Sequence, residues 1–331
     1  MAEPLVTVLV PTIGRLGYWD AMRASLEAQT LRDLEIVILD NASPPETQAA
    51  IAAWAKDDPR VRSLRVDPRI PMFPNFNRGL VGARGKYVTF FHDDDVYFPE
   101  HLRVQVELLE KHPSAGFSGT NYDYVDEHGT TTEERRWIQR TELWSGRRYI
   151  EALWSRGRNL LPMPGIVFRT AALDPAGFDT DITIHFGDFV ILARIAERHD
   201  VVMVADRLMA IRKHTEQASL SMPMSKIIAV RTEVLSAYLD EYEARWPAER
   251  AFVKKLRRRL EVLHRVGLGW GWLSAADPRE AAACADGLGD TLLDRGARAA
   301  LTGAERLHLR GLARPQEILR LTRRVSRRLG V

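Results

Sequence analysis

Tyr87-Val88-Thr89-Phe90-Phe91-His92-Asp93-Asp94-Asp95-Val96-Tyr97-Phe98-Pro99 is a run of β-branched and aromatic residues broken off by three consecutive carboxylates. The apolar part does not alternate with polar residues, which is the pattern of a strand covered on both faces. Three adjacent acids cannot be buried unpaired without a large desolvation cost. The strand must therefore deliver them to an edge where positive charge is available. A hard divalent cation, which takes oxygen ligands, is one such partner. Pro99 suits a first helical turn and predicts a helix over 100–111. The triplet alone fits a simpler use as well, with Asp95 capping that helix and its neighbours favouring the positive end of the dipole.

Upstream, apolar runs alternate with helical periodicity. Val6 to Val10 reads as a buried strand ending at Pro11-Thr12, and 19–29 as a helix. Leu34 to Leu39 is a second strand ending at Asp40-Asn41, and a helix opens at Pro44-Pro45-Glu46. Val61 to Val66 is a third strand, and 75–83 is helical up to Gly85. Strand–helix alternation of this kind predicts an α/β layer fold with a mostly parallel central sheet. Ligands of such sheets bind beyond the carboxyl ends of the strands. Thr12, Asp40 and Asp93 to Asp95 are then expected along one edge.

Downstream the pattern changes. Two strands are expected over 115–125 and 130–138, and a helix over 142–155. The stretch 160–168 carries Pro162 and Pro164, so it reads as an edge strand or extended loop. A helix over 188–199 and a strand over 201–209 follow, then Ile211-Arg212-Lys213-His214. From Pro223 on the chain is helical, with a glycine-rich apolar connector at 267–273. The expected organisation is a catalytic domain over 1–220, its halves meeting near 112/113, and a helical C-terminal region over 221–331.

The chain has 331 residues, 45% hydrophobic and 27% charged, with a net charge of +3. That is the composition of an ordinary globular chain. The single cysteine, Cys284, excludes an internal disulfide and a cysteine-based zinc cage. Reducing cytosol is the expected compartment. Met1-Ala2-Glu3-Pro4 lacks the basic start of a signal peptide, and no window approaches the roughly 20 apolar residues of a membrane span. Between Arg310 and Val331 stand seven arginines and one acid, Glu317. Ile318, Leu321, Val325 and Leu329 share a helical face there. This end fits an interfacial helix on anionic lipid and equally a terminal helix packed on its own domain. No nucleic-acid motif accompanies the charge, so no nucleic-acid partner is expected. The expected location is cytoplasmic, with a peripheral place at the inner face of the membrane if the tail binds lipid. The sequence sets no oligomeric state.

Several segments together carry a resemblance. Val8-Leu9-Val10-Pro11-Thr12, Gln29-Thr30 and Glu35 to Ser43 resemble the opening of a family 2 glycosyltransferase of the GT-A fold. Asn77-Arg78-Gly79 with Ala83 to Tyr87 resembles the segment before that family's metal motif, and His92 to Asp95 with Pro99 to Leu102 the motif itself. Gly177-Phe178-Asp179 with Gly187-Asp188-Phe189 resembles the stretch holding the catalytic base. Arg212-Lys213-His214 resembles the end of the catalytic domain.

The resemblance implies an inverting, metal-dependent transfer of sugar from a UDP- or dTDP-sugar donor to a hydroxyl of a glycan or lipid-linked acceptor, as in bacterial cell-envelope polysaccharide synthesis. It implies Mn2+ or Mg2+ on Asp94 and Asp95, with His214 on the metal or the diphosphate. It implies that Asp93 bonds the ribose, that Asp40 accepts from the imide N–H of the base, that Pro11 and Thr12 line the base pocket, and that Arg78 meets the phosphates. Asp188 is the implied general base, a carboxylate that takes the acceptor proton during attack. Three residues depart from the pattern: Asn41 replaces a second acid often found after Asp40, His92 stands where an acid is usual, and Gly187 replaces the usual Glu before the base. Structural uses remain open beside these roles. Asp188 could cap its helix, Asp40 could serve a turn, and Trp137, Trp144 and Trp154 could be core rather than acceptor site. A sugar nucleotidyltransferase is the rival enzyme, with Gly14-Arg15-Leu16-Gly17 as a faint phosphate loop, and a non-catalytic sugar-nucleotide binder is the other alternative.

Overall fold

The computed structural model describes residues 3–214, 222 and 224–274. The chain divides into two compact units, Met1–Ile150 with Asn159–Ala218 and Glu151–Arg158 with Ser219–Val331.

The first unit is built on β1 (Val6–Thr12), β2 (Leu34–Asn41), β3 (Val61–Val66) and β4 (Tyr87–Phe90), joined by α1 (Leu16–Glu27), α2 (Pro45–Asp57) and α3 (Met72–Val81). Every residue of β2 is buried, and only Pro11 of β1 is not fully so, because helices cover both faces. Alternate side chains go to opposite layers. Val8, Val10, Ile36 and Ile38 join Trp19, Met22, Ile51 and Trp54 of α1 and α2 in one core. Leu9 and Leu39 face Gly79 of α3, where a side chain would collide with them, and Phe90 stacks on Phe76 of the same helix.

The sheet continues through β5 (Val96–Tyr97), β6 (Ala115–Val125), β7 (Thr131–Arg135), β8 (Glu142–Trp144), β9 (Ile166–Arg169) and β10 (Asp200–Arg212). Its order is β3-β2-β1-β4-β9-β6-β10-β5, with β7 on β6 and β8 on β10. β1, β2, β3 and β4 are mutually parallel and β6 runs parallel to β10, while β9 is antiparallel to both of its neighbours. The helices here are α4 (His101–Lys111) and α6 (Gly187–Ala196), with α5 (Gly146–Arg156) belonging to the second unit from Glu151 on.

Three expectations need correction. Residues 166–169 form an interior strand, not an edge, because Pro162 and Pro164 stop short of it in the preceding turn and leave its N–H groups free to pair. The helix expected over 142–155 begins only at Gly146, since Glu142 to Trp144 pair with β10. The connector expected at 267–273 lies within a continuous helix, α8, because glycine costs only about 1 kcal/mol there and no proline intervenes.

The second unit contains α7 (Met224–Arg245) and α8 (Arg250–Ser274), with Trp154 packed against Tyr238 at 4.9 Å between ring centroids. Trp154 is thus a core residue, as one reading of the tryptophans had it. Among the described residues no helix is long and apolar enough to cross a membrane. The helices expected beyond 277 and the basic tail lie outside the described residues.

Candidate active site

Register fixes one edge of the sheet. Thr12 pairs with Asp40 across β1 and β2, and Leu9 with Phe90 across β1 and β4, so the chain leaving β4 emerges beside both strand ends. The expected alignment of Thr12, Asp40 and the acid triplet is present.

Residues 92–95 form a turn, closed by the Asp95 N–H onto the His92 carbonyl at 3.4 Å. The Tyr97 hydroxyl accepts from the His92 N–H at 2.7 Å, and the Tyr97 ring stacks on Phe91. β5 then pairs antiparallel with Met209 and Ala210, which carries the end of β10 back across the turn. As a result the Arg212 N–H donates to Asp95 Oδ1 at 3.0 Å, and Arg212 Nε to the Asp94 carbonyl at 3.0 Å. His214 Nε2 lies 3.0 Å from Asp94 Oδ2. The same oxygen accepts from Arg15 NH1 at 2.7 Å, and that nitrogen also meets Asp93 Oδ1 at 3.1 Å. Asp93 Oδ2 accepts from the Thr12 hydroxyl at 2.7 Å. Tyr18 covers this group from α1, its ring 5.4 Å from that of His214 and under the Arg212 guanidinium.

The charges are crowded. Burial, aided by the charge of Asp94, pushes the Asp93 carboxyl up to about 6. Burial and Asp94 raise Asp95 well above the usual carboxylate range. Burial lowers His92, whose ring is therefore a neutral base at neutral pH. One donor atom each from His92, Asp94 and Asp95 lie within 4.8 Å of one another. Two oxygens and one imidazole nitrogen suit a borderline divalent ion such as Mn2+ better than Mg2+, which prefers oxygen alone. His92 Nε2 is buried with no hydrogen-bond partner among the described residues. The donor set thus fits a metal, with His92 in the place of the acid the resemblance leads one to expect.

The Asp40 carboxylate accepts from the Ser43 N–H at 2.9 Å and from Arg65 NH1 at 2.7 Å. Burial acts to raise its pKa, but the bonds from Ser43 and Arg65 outweigh it and hold Asp40 ionised. Arg78 donates to Asn75 Oδ1, to the Asp40 carbonyl and to the Leu64 carbonyl, at 2.8, 3.2 and 2.6 Å. Its guanidinium clamps the ends of β2 and β3.

Asp188 is the second residue of α6, half-buried, and burial pushes its carboxyl up to about 7. A helix N-terminus favours a carboxylate, so desolvation is the stronger effect here. Gly187 is explained by its neighbour: a Cβ there would lie 2.1 Å from the Phe73 ring. Phe73 stacks on Phe178, whose N–H and carbonyl are both bonded to Asn77 at 2.7 Å. Phe178 packs on Phe76, which in turn meets His92 at 6.3 Å between ring centroids. This aromatic chain links the start of α6 to the acid turn.

Arg15, Tyr18, Tyr97 and Arg212 belong to the site and were not singled out for it in the sequence. Tyr97 and Arg212 stand inside quoted segments, so alternation with the turn could have found them. Arg15 stands only in the faint phosphate loop quoted for the rival enzyme, and Tyr18 carries no local signal, because only the tertiary approach of α1 brings them to the acids.

The family model described as Glycosyl transferase family 2 matches residues 7–173. A GalNAc(5)-diNAcBac-PP-undecaprenol beta-1,3-glucosyltransferase of Campylobacter jejuni is 34% identical over 94 residues, covering 28% of this chain and 30% of that protein. The chain spans only about a fifth (21%) of the length of the first curated relatives it matches. Among solved structures, S. aureus TarS 1–349 in complex with UDP-GlcNAc has a TM-score of 0.63 at 15% identity, covering 96% of this chain and 92% of that one. The mannosyltransferase PcManGT from Pyrobaculum calidifontis, in complex with GDP-Man and Mn2+, has a TM-score of 0.51 at 18% identity, covering 93% and 88%. The fold is GT-A, and with the family match spanning residues 7–173 this chain belongs to glycosyl transferase family 2.

Proposed function

We propose that the protein is an inverting, metal-dependent glycosyltransferase that moves a sugar from a UDP- or dTDP-sugar to a hydroxyl of a glycan or lipid-linked acceptor. The observation that carries this reading is the shared strand-end edge on which Thr12, Asp40 and the acid turn stand together. Asp40 would accept the imide N–H of the base, with Pro11 and Thr12 beside it. Asp93, held by Thr12, would face the ribose. His92, Asp94 and Asp95 would hold the ion, with His214 on the same Asp94 oxygen. A divalent ion bound there supplies Lewis-acid stabilisation of the charge that builds on the leaving diphosphate.

Asp188 takes the proton of the acceptor hydroxyl as its oxygen attacks the anomeric carbon. The bond from that carbon to the diphosphate oxygen breaks, and the nucleoside diphosphate leaves with the electron pair. One carboxylate suffices for this single displacement. A carboxyl raised to about 7 by burial suits it, because a base works best near the operating pH. The Campylobacter relative, named for an undecaprenol-linked acceptor, and TarS with its UDP-GlcNAc support an acceptor and donor of this type for bacterial envelope polysaccharide. PcManGT with Mn2+ supports the metal. The arginine-rich stretch after Arg310 supports a peripheral place at the inner face of the membrane. Incubation with UDP- and dTDP-sugars and Mn2+ or Mg2+ tests the reaction. Released nucleoside diphosphate agrees with it, whereas nucleoside triphosphate and sugar 1-phosphate formed only when pyrophosphate is added would make the chain a nucleotidyltransferase instead.

A further inference from the structure

Arg15 is the only guanidinium among the described residues that contacts the Asp93 and Asp94 carboxylates, and it does so with one nitrogen. NH1 meets both acids, while no hydrogen bond or ion pair in the described structure uses its Nε or NH2. Arg15 stands at the head of α1, a twelve-residue helix whose start has no side-chain cap and no acid in its first turn. An uncapped helix start leaves partial positive charge beside Arg15, although the Leu16 and Tyr18 N–H groups are turned onto the Gly14 and Arg15 carbonyls. The side chain is 23% exposed, so solvent lies on its open side. Arg78 presents the opposite case, with its Nε and NH2 given to Asn75 and to two strand-end carbonyls.

Asp94 Oδ2 is the point of conflict. It accepts from Arg15 NH1 at 2.7 Å, lies 3.0 Å from His214 Nε2, and belongs to the residue set that fits a metal. A guanidinium and a divalent ion on one carboxylate oxygen repel each other. The Arg15 contact and an ion on Asp94 are therefore alternatives. A planar fork released from the acids is matched to a diphosphate, which accepts two parallel N–H bonds.

We propose that Arg15 is the donor-diphosphate-positioning residue of this site, exchanging the Asp93–Asp94 pair for the diphosphate when a divalent ion binds. The proposal rests on the metal-dependent reading above. It makes two demands that a merely structural ion pair does not. Removing the charge must strengthen metal binding, and it must weaken nucleotide binding.

The test uses the full chain, with Arg15→Gln and Arg15→Lys, and reads free Mn2+ by electron paramagnetic resonance without donor. Nucleotide binding is then measured by calorimetry with UDP in saturating Mn2+. Arg15→Gln should bind Mn2+ at least about tenfold more tightly, the scale of removing a unit charge beside a dication. The same variant should bind UDP about tenfold or more weakly, as expected for loss of a charge-assisted bidentate contact. Arg15→Lys should recover part of the UDP affinity, since it keeps the charge and loses the fork. Unchanged or weaker Mn2+ binding in Arg15→Gln, or unchanged UDP affinity, overturns the assignment of Arg15 while leaving the metal reading intact. Failure of the wild-type chain to bind Mn2+ at all would end both.

Discussion

The Cα of Gly187 rests against the ring of Phe73: a Cβ added at 187 would stand 2.1 Å from Cζ and 2.2 Å from Cε2. The ring has no room to yield, because it is stacked on Phe178 at 5.0 Å and 7°. Installing the acid that the resemblance leads one to expect, by Gly187→Glu, should therefore lower both stability and turnover. Gly187→Ala should cost about 1–3 kcal/mol, the usual penalty of overpacking. Phe73→Leu should recover much of it in the double variant. Thermal melts and kcat of the two singles and the double decide this, and an additive double would remove the collision as the cause.

The cause of that departure is legible only with the structure, and the same is true of several parts of the site. β1, β2 and β4 could be read because strands covered on both faces need largely apolar runs, and Thr12 and Asp40 stand as polar residues at the carboxyl ends of β1 and β2. The interior place of β9 was hidden by Pro162 and Pro164, which look like edge signals and in fact precede the strand. β8 was hidden because Glu142-Leu143-Trp144 reads equally well as the first turn of the helix behind it. His214 lies 120 residues from Asp94 in sequence, so only the resemblance placed it, whereas Arg15 at 79 residues had no such help.

Tyr97→Phe isolates the support of the acid turn. The ring stays stacked on Phe91, and only the oxygen that accepts the His92 N–H is lost. Leaving that N–H unsatisfied should cost about 1–3 kcal/mol. Because the turn carries the carboxylates, Mn2+ should also bind less tightly. Melting curves with and without Mn2+ measure both effects, and a variant with wild-type values in each would show that the hydroxyl does not hold the turn.

Asp40→Ala tests the base pocket through the chemistry of the base. Uracil has an imide N–H to donate, while cytosine has none at that position. A hydrogen bond to a charged acceptor contributes about 1.5–3 kcal/mol, so UDP affinity should fall by roughly ten- to a hundredfold. CDP affinity should change little, and the wild-type preference for UDP over CDP should disappear. Competition binding of the two nucleotides gives the answer, and a preference that survives the substitution places base recognition elsewhere.

The pH profile tests Asp188 in two independent ways. A general base must be ionised, and burial sets this carboxyl at about 7. kcat/KM should therefore rise about tenfold per pH unit below 7 and level off above it. Asp188→Asn removes the acceptor of the proton and should lower kcat by roughly 10²–10⁴ while leaving UDP affinity nearly unchanged. Stability should move in the opposite sense. The folded-state value is raised above the unfolded one near 3.9, so the favourable contribution is complete below that pH and is lost as pH rises to about 7. Asp188→Asn escapes this loss, and its stability gain over wild type should grow from pH 4 to pH 7 and then hold constant. Melts of both proteins across that range check it without any turnover. A variant that keeps wild-type activity, or one whose stability difference is flat with pH, would leave Asp188 as an ordinary helix-start carboxylate and the base still to be found.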